Sequence, residues 1–541
     1  MLNDNQRLVA FVFNISLLLL LSTETSSSFV LRSTPFERVV PFSKSTSSTT
    51  NLDMAPPTTK EDDTEVRLQV PGKLGHVSSR GAANLALPMA YLAHHFTSID
   101  TGNACHPTDN PQGYITVAVA ENKLVTDLLQ ERLGTGTQTA HAGFMEDSEV
   151  YSYGPPSGLP VLKQAVATLL QDRFLGTASD TPEINPNHIA IGAGVMNFLS
   201  NLFFALGQSG DAVLIPAPYY AAFDNDVRAY AGCITVPVEC QHPELGPTVQ
   251  ELQDAKDQAE AKGLKVRFLL LTNPHNPLGV VYTAEVLTSA ISWARTQKME
   301  SIVDEIYALS VFGDDSKDNV KFESTLKLYK NDLGHDVHLL WGLSKDFGAS
   351  GFRIGVLYTQ NELLLEALGN LIAFAWVSHP MQRIMANMLS DTQFCDHFLT
   401  TSTQRLRASY QACTKVLTEL DVPFVQAQAG MFVYLDLNHN DDNRGGIVAT
   451  AQDEAILSDI FMTRARMVLT PGQTQHDPIP GRFRICYAYV SPEVLAIGME
   501  RLAKVMTKIR ARTTGPSSEQ EQPGLLGGNW IQEDKYWQDI L

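Results

Sequence analysis

Seven short apolar runs alternate with amphipathic stretches through the middle of the chain, and this alternation constrains the fold more than any other feature. The runs are HIAIGAG (188–194), AVLIPAP (212–218), CITVPVE (233–239), VRFLLLTNP (266–274), SIVDEIYAL (301–309), VHLLWGLS (337–344) and FRIGVLYT (352–359). Between them lie stretches of helical character such as VMNFLSNLFFAL, PTVQELQDAKDQAEAKG and TAEVLTSAISWARTQK. The runs are continuously apolar, which marks strands buried on both faces, and strands joined through helices run parallel. An α/β fold is expected, with a mostly parallel sheet between helices. From about Asn361 the pattern changes to two long helical stretches, to Asp391 and then His397–Leu420. A sheet-like part (FVYLDL, RFRICYA) follows, then the helix SPEVLAIGMERLAKVMTKIRAR. This predicts a second, smaller α+β domain. The expected division is an arm and part of the small domain at 61–135, a large domain at 136–370, a small C-terminal domain at 371–512, and a flexible tail at 513–541.

Length agrees, since 541 residues exceed what one domain usually holds. With 40 basic and 59 acidic side chains the formal charge is −19. So acidic a chain lacks the clustered positive face that nucleic acid requires. Six cysteines without a Cys-x-x-Cys pair exclude a disulfide framework and a zinc knuckle, and no metal-ligand spacing appears. The apolar stretch LVAFVFNISLLLLL (8–21) falls short of the roughly 20 residues a bilayer needs. It suits the core of a signal peptide over residues 1–28, so no membrane span is expected in the mature protein. The Ser/Thr-rich segment 29–60, beginning at Phe29 and carrying Arg32, Arg38 and Lys44, has transit-peptide composition. Together the two resemble a two-part plastid presequence; secretion, or a cytosolic product starting at Met54, are the alternatives.

In open α/β sheets, ligands sit outside the carboxyl ends of the strands, so residues just after the apolar runs are the candidates. Lys345 follows VHLLWGLS, among Ser344, Gly348 and Gly351, with Arg353 eight residues on. A desolvated lysine near other cations becomes a carbonyl-trapping amine, although a lone loop lysine is ordinarily a solvated charge. Asp304 closes another run, where a carboxylate requires a cationic partner; a protonated pyridine nitrogen would serve. Asn273 and Asn276 lie in a proline-rich turn and are ambiguous between turn-making and binding. The glycines of IGAGVMNF, Gly192 and Gly194, open a helix N-terminus that suits a phosphate. The segment lacks the Gly-Lys-Ser/Thr of a nucleotide P-loop and the full Gly-x-Gly-x-x-Gly fingerprint.

Taken in order, GAG, PAPYY, NPHNPLG, DEIY, SKDFGASGFRIG and GRFRICYA resemble the class I/II aminotransferases of fold type I, which use pyridoxal 5′-phosphate (PLP). The resemblance spans about residues 67–510. It implies a Schiff base on Lys345, which then moves the Cα proton, and pairing of Asp304 with the pyridine nitrogen. It assigns Asn276 and Tyr307 to the ring hydroxyl and Tyr220 to the ring face. Ala193, Gly194, Ser344 and Arg353 would surround the phosphate, with Tyr153 reaching it from the neighbouring subunit of a homodimer. Arg484 would grip the substrate α-carboxylate; strand alternation puts Arg482 on the same face, and only the resemblance selects Arg484.

AVAENKL, PAPYYAAFDNDVRAYAG and LSKDFGASGFRIG are similar, more narrowly, to 1-aminocyclopropane-1-carboxylate (ACC) synthases and their synthase-like relatives. Glu121 stands where the synthases place a glutamate facing the substrate's amino or sulfonium group. Two departures are visible. Gly342 replaces the first serine of Ser-Leu-Ser-Lys, and Tyr153 is followed by GPPSGLP as in transaminases. The expected activity is therefore amino transfer from an L-amino acid to a 2-oxo acid. ACC synthesis from S-adenosylmethionine is the alternative, and a non-catalytic PLP-binding regulatory protein is a third reading.

Overall fold

In the computed structural model the described residues are 102–133, 148–178, 181–313, 320–438, 448, 450–513 and 534–541, together with Tyr91 and His95. They lie within one unit, Val66–Leu541. The expected presequence (1–60) lies outside them. No described helix is long and apolar enough to cross a membrane.

Each of the seven apolar runs contributes a strand: β2 (Ile189–Gly192), β3 (Asp211–Ala217), β4 (Ile234–Glu239), β5 (Lys265–Thr272), β6 (Glu300–Asp304), β7 (Val337–Gly342) and β8 (Gly355–Tyr358). They form one sheet in the order β2-β8-β7-β6-β5-β3-β4. Only β8 runs against its neighbours. Side chains alternate between the faces as strand geometry requires. Leu214, Leu269, Leu271, Val303, Leu339 and Trp341 enter one apolar cluster, while Val213, Ile215, Leu270, Ile302 and Leu340 enter another. Covering helices begin where the sequence supplies caps, as with Thr248 and Glu251 ahead of Val249–Ala261, and Thr283 ahead of Ala284–Thr296.

The C-terminal part builds a three-stranded antiparallel sheet from β11 (Thr470–Pro471), β12 (Arg482–Cys486) and β9 (Phe432–Asp436). The N-terminal strand β1 (Ile115–Thr116) pairs in parallel with β10 (Met467–Val468), so Ile115 and Val117 share the core of this part.

Three expectations need correction. The helical stretch expected to run from Asn361 to Asp391 is two helices, Glu362–Ile372 and His379–Leu389. Pro380 begins the second, where its missing N–H costs nothing and its fixed φ suits a helix start. The change of core does not fall at 371. Met385, Met388, Cys395 and Phe398 pack with Trp341 of the large sheet, whereas Leu406, Cys413 and Leu417 belong to the second core. The helix Thr392–Glu419 thus passes from one core to the other, and the pattern change at Asn361 marks a change of secondary structure only. The end of the tail expected to be flexible is docked. Trp537 and Ile540 are buried in the second core, the Tyr536 hydroxyl donates to the Lys508 carbonyl at 2.6 Å, and Lys508 pairs with Asp539 at 2.7 Å.

Burial of Trp537 predicts that Trp537→Ala costs about 3 kcal/mol of stability, the usual price of an aromatic cavity. The check is a denaturant titration: an unchanged midpoint would show that the docked end carries no load.

Candidate active site

Five segments that end or begin strands of the large sheet converge on one edge. β6 ends in Asp304, β5 leads through Asn273 to Asn276, β3 to Tyr220, β7 to Ser344 and Lys345, and β2 to Ala193 and Gly194. Arg353 precedes the reversed strand β8 and reaches the same edge. Lys345, Asp304, Tyr307, Asn276, Tyr220, Ser344, Arg353, Glu121 and Arg484 line one cavity of about 250 Å³.

Lys345 lies on the short helix Leu343–Asp346, and its Nζ donates to the Ala120 carbonyl at 2.7 Å. Burial lowers its ammonium below the ordinary value, against the charge of Glu121. The loop is held by its neighbour Asp346, which is fully buried. It accepts from Trp341 Nε1 (2.8 Å), Ser310 Oγ (2.7 Å) and the Leu309 amide (3.0 Å). Asp304 is 5 % exposed, and its Oδ1 accepts from the Ile306 amide at 3.2 Å. Burial pushes its carboxyl up to about 7, with Lys345 pulling the other way. The Asn276 amide donates to the Tyr307 hydroxyl at 3.4 Å, and burial raises that phenol well above its usual range. The Asn273 side chain serves the turn instead, taking the Tyr282 amide at 2.9 Å.

Gly194, at φ 88°, caps the helix Val195–Leu206; a Cβ there would stand 2.7 Å from the Arg353 guanidinium. Arg353 itself donates to the carbonyls of Ser350 (3.0 Å) and Ala193 (3.3 Å). A helix N-terminus facing a guanidinium across a residue without a side chain is a cradle for a phosphate. From the second sheet, Arg484 is 1 % exposed and donates to Asn276 Oδ1 (2.8 Å), the Ala118 carbonyl (2.7 Å) and Thr470 Oγ1 (3.2 Å). Its Nε is buried without a partner. Arg482 pairs instead with Asp436 (3.4 Å) and Asp477 (3.5 Å) beside a separate cavity. Glu121 accepts from the Ser350 hydroxyl at 2.6 Å and lies 4.0 Å from Lys123. Tyr153 does not line the cavity; it is 92 % exposed, with its ring 5.7 Å from that of Trp376.

The family model for aminotransferase class I and II matches residues 119–502. The chain belongs to this family. Among its relatives, 1-aminocyclopropane-1-carboxylate synthase-like protein 1 of Arabidopsis thaliana is 32 % identical, over 76 % of this chain and 82 % of that one. 1-Aminocyclopropane-1-carboxylate synthase 5 of Oryza sativa subsp. japonica is also 32 % identical, over 77 % of this chain and 78 % of its own. A single-mutant aspartate aminotransferase of Thermus thermophilus shares the fold at a TM-score of 0.63 and 20 % identity, covering 80 % of this chain and 100 % of that one.

Aminotransferases of this family use PLP, and the residues present fit it. Among the described residues no ion pair to Asp304 is formed and Lys345 acts on it only at longer range, the helix start at Gly194 with Arg353 suits the phosphate, and Lys345 supplies the amine in the same cavity.

Four participants escaped sequence reasoning. Asp346 and Ser350 sit inside a motif read for Lys345 and Arg353, and the carbonyls of Ala118 and Ala120 carry no side-chain signal. The one carboxyl of that motif, directly beside Lys345, was the available hint for Asp346.

The Asp304 shift has a consequence for the cofactor-free protein. Its carboxyl is raised to about 7, above the unfolded value near ~4, so its stabilising contribution is complete below pH ~4 and lost as pH rises through 7. Asp304→Asn carries no such loss. The variant should gain on the order of 2 kcal/mol over wild type at pH 8 and nothing at pH 4, measured by denaturant unfolding without PLP. An equal difference at both values would contradict the shift.

Proposed function

We propose that the protein is an aminotransferase moving the α-amino group of an L-amino acid to a 2-oxo acid. Arg484 takes the substrate α-carboxylate as a two-pronged pair, exchanging its carbonyl partners for a charged one. Lys345, whose lowered proton affinity makes the free amine accessible, removes the proton from Cα of the donor amino acid and, in the second half of the cycle, delivers one to the corresponding carbon of the acceptor 2-oxo acid. Asn276 and Tyr307 orient the ring hydroxyl, and Asp304 holds the ring nitrogen protonated. When bound, PLP supplies the electron sink that makes the Cα proton acidic.

The observation that carries amino transfer over the alternative is the state of Glu121. Its carboxylate already receives the Ser350 hydroxyl at 2.6 Å and lies 4.0 Å from the Lys123 ammonium, so it is not bare for a sulfonium. The serine that plant ACC synthases place at the position of Gly342 also finds no room in this backbone: a Cβ there would stand 2.7 Å from the Ile354 carbonyl oxygen. ACC synthesis from S-adenosylmethionine is the second reading. It is favoured by Glu121 lying in the same cavity as Lys345 and by the names of the relatives. Within the same proposal, the exposed Tyr153 completes the phosphate site of a second copy in a homodimer, and the mature enzyme resides in a plastid.

The deciding assay supplies the PLP-loaded protein with amino-acid and 2-oxo-acid pairs, and separately with S-adenosylmethionine. Keto-acid exchange is expected, and Arg484→Ala should lower its kcat/KM about a hundredfold or more. ACC and methylthioadenosine without keto-acid exchange would overturn the proposal, and no product from either would favour a non-catalytic PLP-binding protein.

A further inference from the structure

The short helix Phe223–Arg228 follows Tyr220 and brings an acid to the wall of the active-site cavity. Asp226 is 2 % exposed and lines the same cavity as Asp304 and Lys345; its Oδ1 has no hydrogen-bond partner. The Ser200 hydroxyl nearby donates to the Asp226 backbone carbonyl at 3.3 Å and not to the carboxyl. An acid so deeply buried with one oxygen left without a partner is destabilising, whereas the apolar neighbours Leu199 and Phe223 would accept an apolar residue there without that cost. Its placement therefore points to a charge that arrives with a ligand.

The charge next to Asp226 identifies the ligand group. Burial first, then the negative charge of Asp304, push its carboxyl up to about 8. The groups facing it are Asp304 from β6 and the Tyr220 phenol ahead of its own helix, with Lys345 and Arg484 elsewhere on the cavity wall. Two ionised carboxylates beside one pyridinium would leave a net negative charge in a closed site, while one neutral and one ionised carboxyl balance it.

We propose that Asp226 is a second carboxyl at the pyridine-nitrogen end of the cofactor site, a positioning residue that with Asp304 retains one proton and, once ionised, adds its charge behind the protonated ring nitrogen. The ligand group it serves is a heteroaromatic cation. This rests on PLP as the cofactor and holds whether the reaction is amino transfer or ACC formation.

The test compares wild type with Asp226→Asn, each loaded with PLP labelled with ¹⁵N in the ring. The PLP dissociation constant and the ring-nitrogen resonance are followed from pH 6.5 to 9.5. Below its titration Asp226 is neutral and asparagine mimics it; above, only the wild type carries the extra charge. The variant's dissociation constant should equal that of wild type at pH 6.5 and exceed it about tenfold at pH 9.5, where its ring nitrogen also moves toward the unprotonated position. Asp226→Leu, neutral throughout, must show the same pattern and stands in if the asparagine protein does not fold. A ratio independent of pH, or a ring resonance that follows the same curve in both proteins, overturns the proposal, since a packing role has no reason to track pH. A failure of the PLP assignment itself would be seen first, as wild-type protein that takes up no PLP.

Discussion

A carboxylate held at the buried end of a parallel strand is the interaction on which the rest of this protein turns. Asp304 can be there only because β6 sits centrally in a sheet covered on both faces, and the single hydrogen bond identified for its side chain, from the Ile306 amide, leaves its charge undercompensated. The fold concentrates that deficit at one point, and the neighbouring strand ends supply what surrounds it: an amine from the end of β7, an amide from the end of β5 and a phosphate cradle from the end of β2. Sheet direction therefore does the chemical sorting. Reversing any one of these strands would send its functional residue to the far edge, away from the others.

The second domain contributes by competition as much as by contact. Arg484 is engaged by Asn276, Thr470 and the Ala118 carbonyl, and Lys345 by the Ala120 carbonyl. One short stretch, 118–120, thus engages both of these cations, and the next residue is Glu121. A carbonyl is a weaker partner for a guanidinium than a carboxylate, so a substrate displaces Ala118 at a net gain. The stretch keeps the cations ordered without holding them tightly. The segment after β3 makes a further link between the domains, where Asp224 accepts from the Tyr219 hydroxyl at 2.8 Å and pairs with His476 at 2.7 Å.

What was legible in the sequence was whatever local rules determine. Each of the seven apolar runs forms a strand because continuous apolarity has one stable outcome in a two-faced sheet, and the residues after them are collected at one edge because topology requires it. Strand alternation treats Arg484 and Arg482 alike and only the family resemblance separated them; the physical reason is three-dimensional, since the acids at Asp436 and Asp477 draw Arg482 elsewhere. Asp346 and Ser350 were hidden because Ser310 and Glu121, which bond them, lie far away in the chain, and Asp226 because the Asp304 carboxyl whose charge it feels stands on β6. The passage between cores inside Thr392–Glu419 was hidden too, since a continuous helix carries no break in pattern to mark it.

Charge balance inside the cavity bears on the choice of reaction. The whole chain sums to −19, yet the cavity wall holds Lys345, Arg353 and Arg484 against Glu121, Asp226 and Asp304, three against three. In the proposed reading a phosphate is met by Arg353 and the helix start, an α-carboxylate by Arg484, and a ring cation by Asp304 with Asp226 behind it, which leaves Glu121 as the acid with no cofactor group to serve. In a site that needed to hold a permanently cationic leaving group, the low-energy arrangement would leave that carboxylate unshared. Here the Ser350 hydroxyl takes one of its oxygens, which spreads its charge and lowers its attraction for a cation. A neutral or amino-bearing side chain gives up less to that arrangement than a sulfonium does, and in the proposed reading this difference places the Ser350–Glu121 contact, one turn of chain from Arg353, on the side of amino transfer.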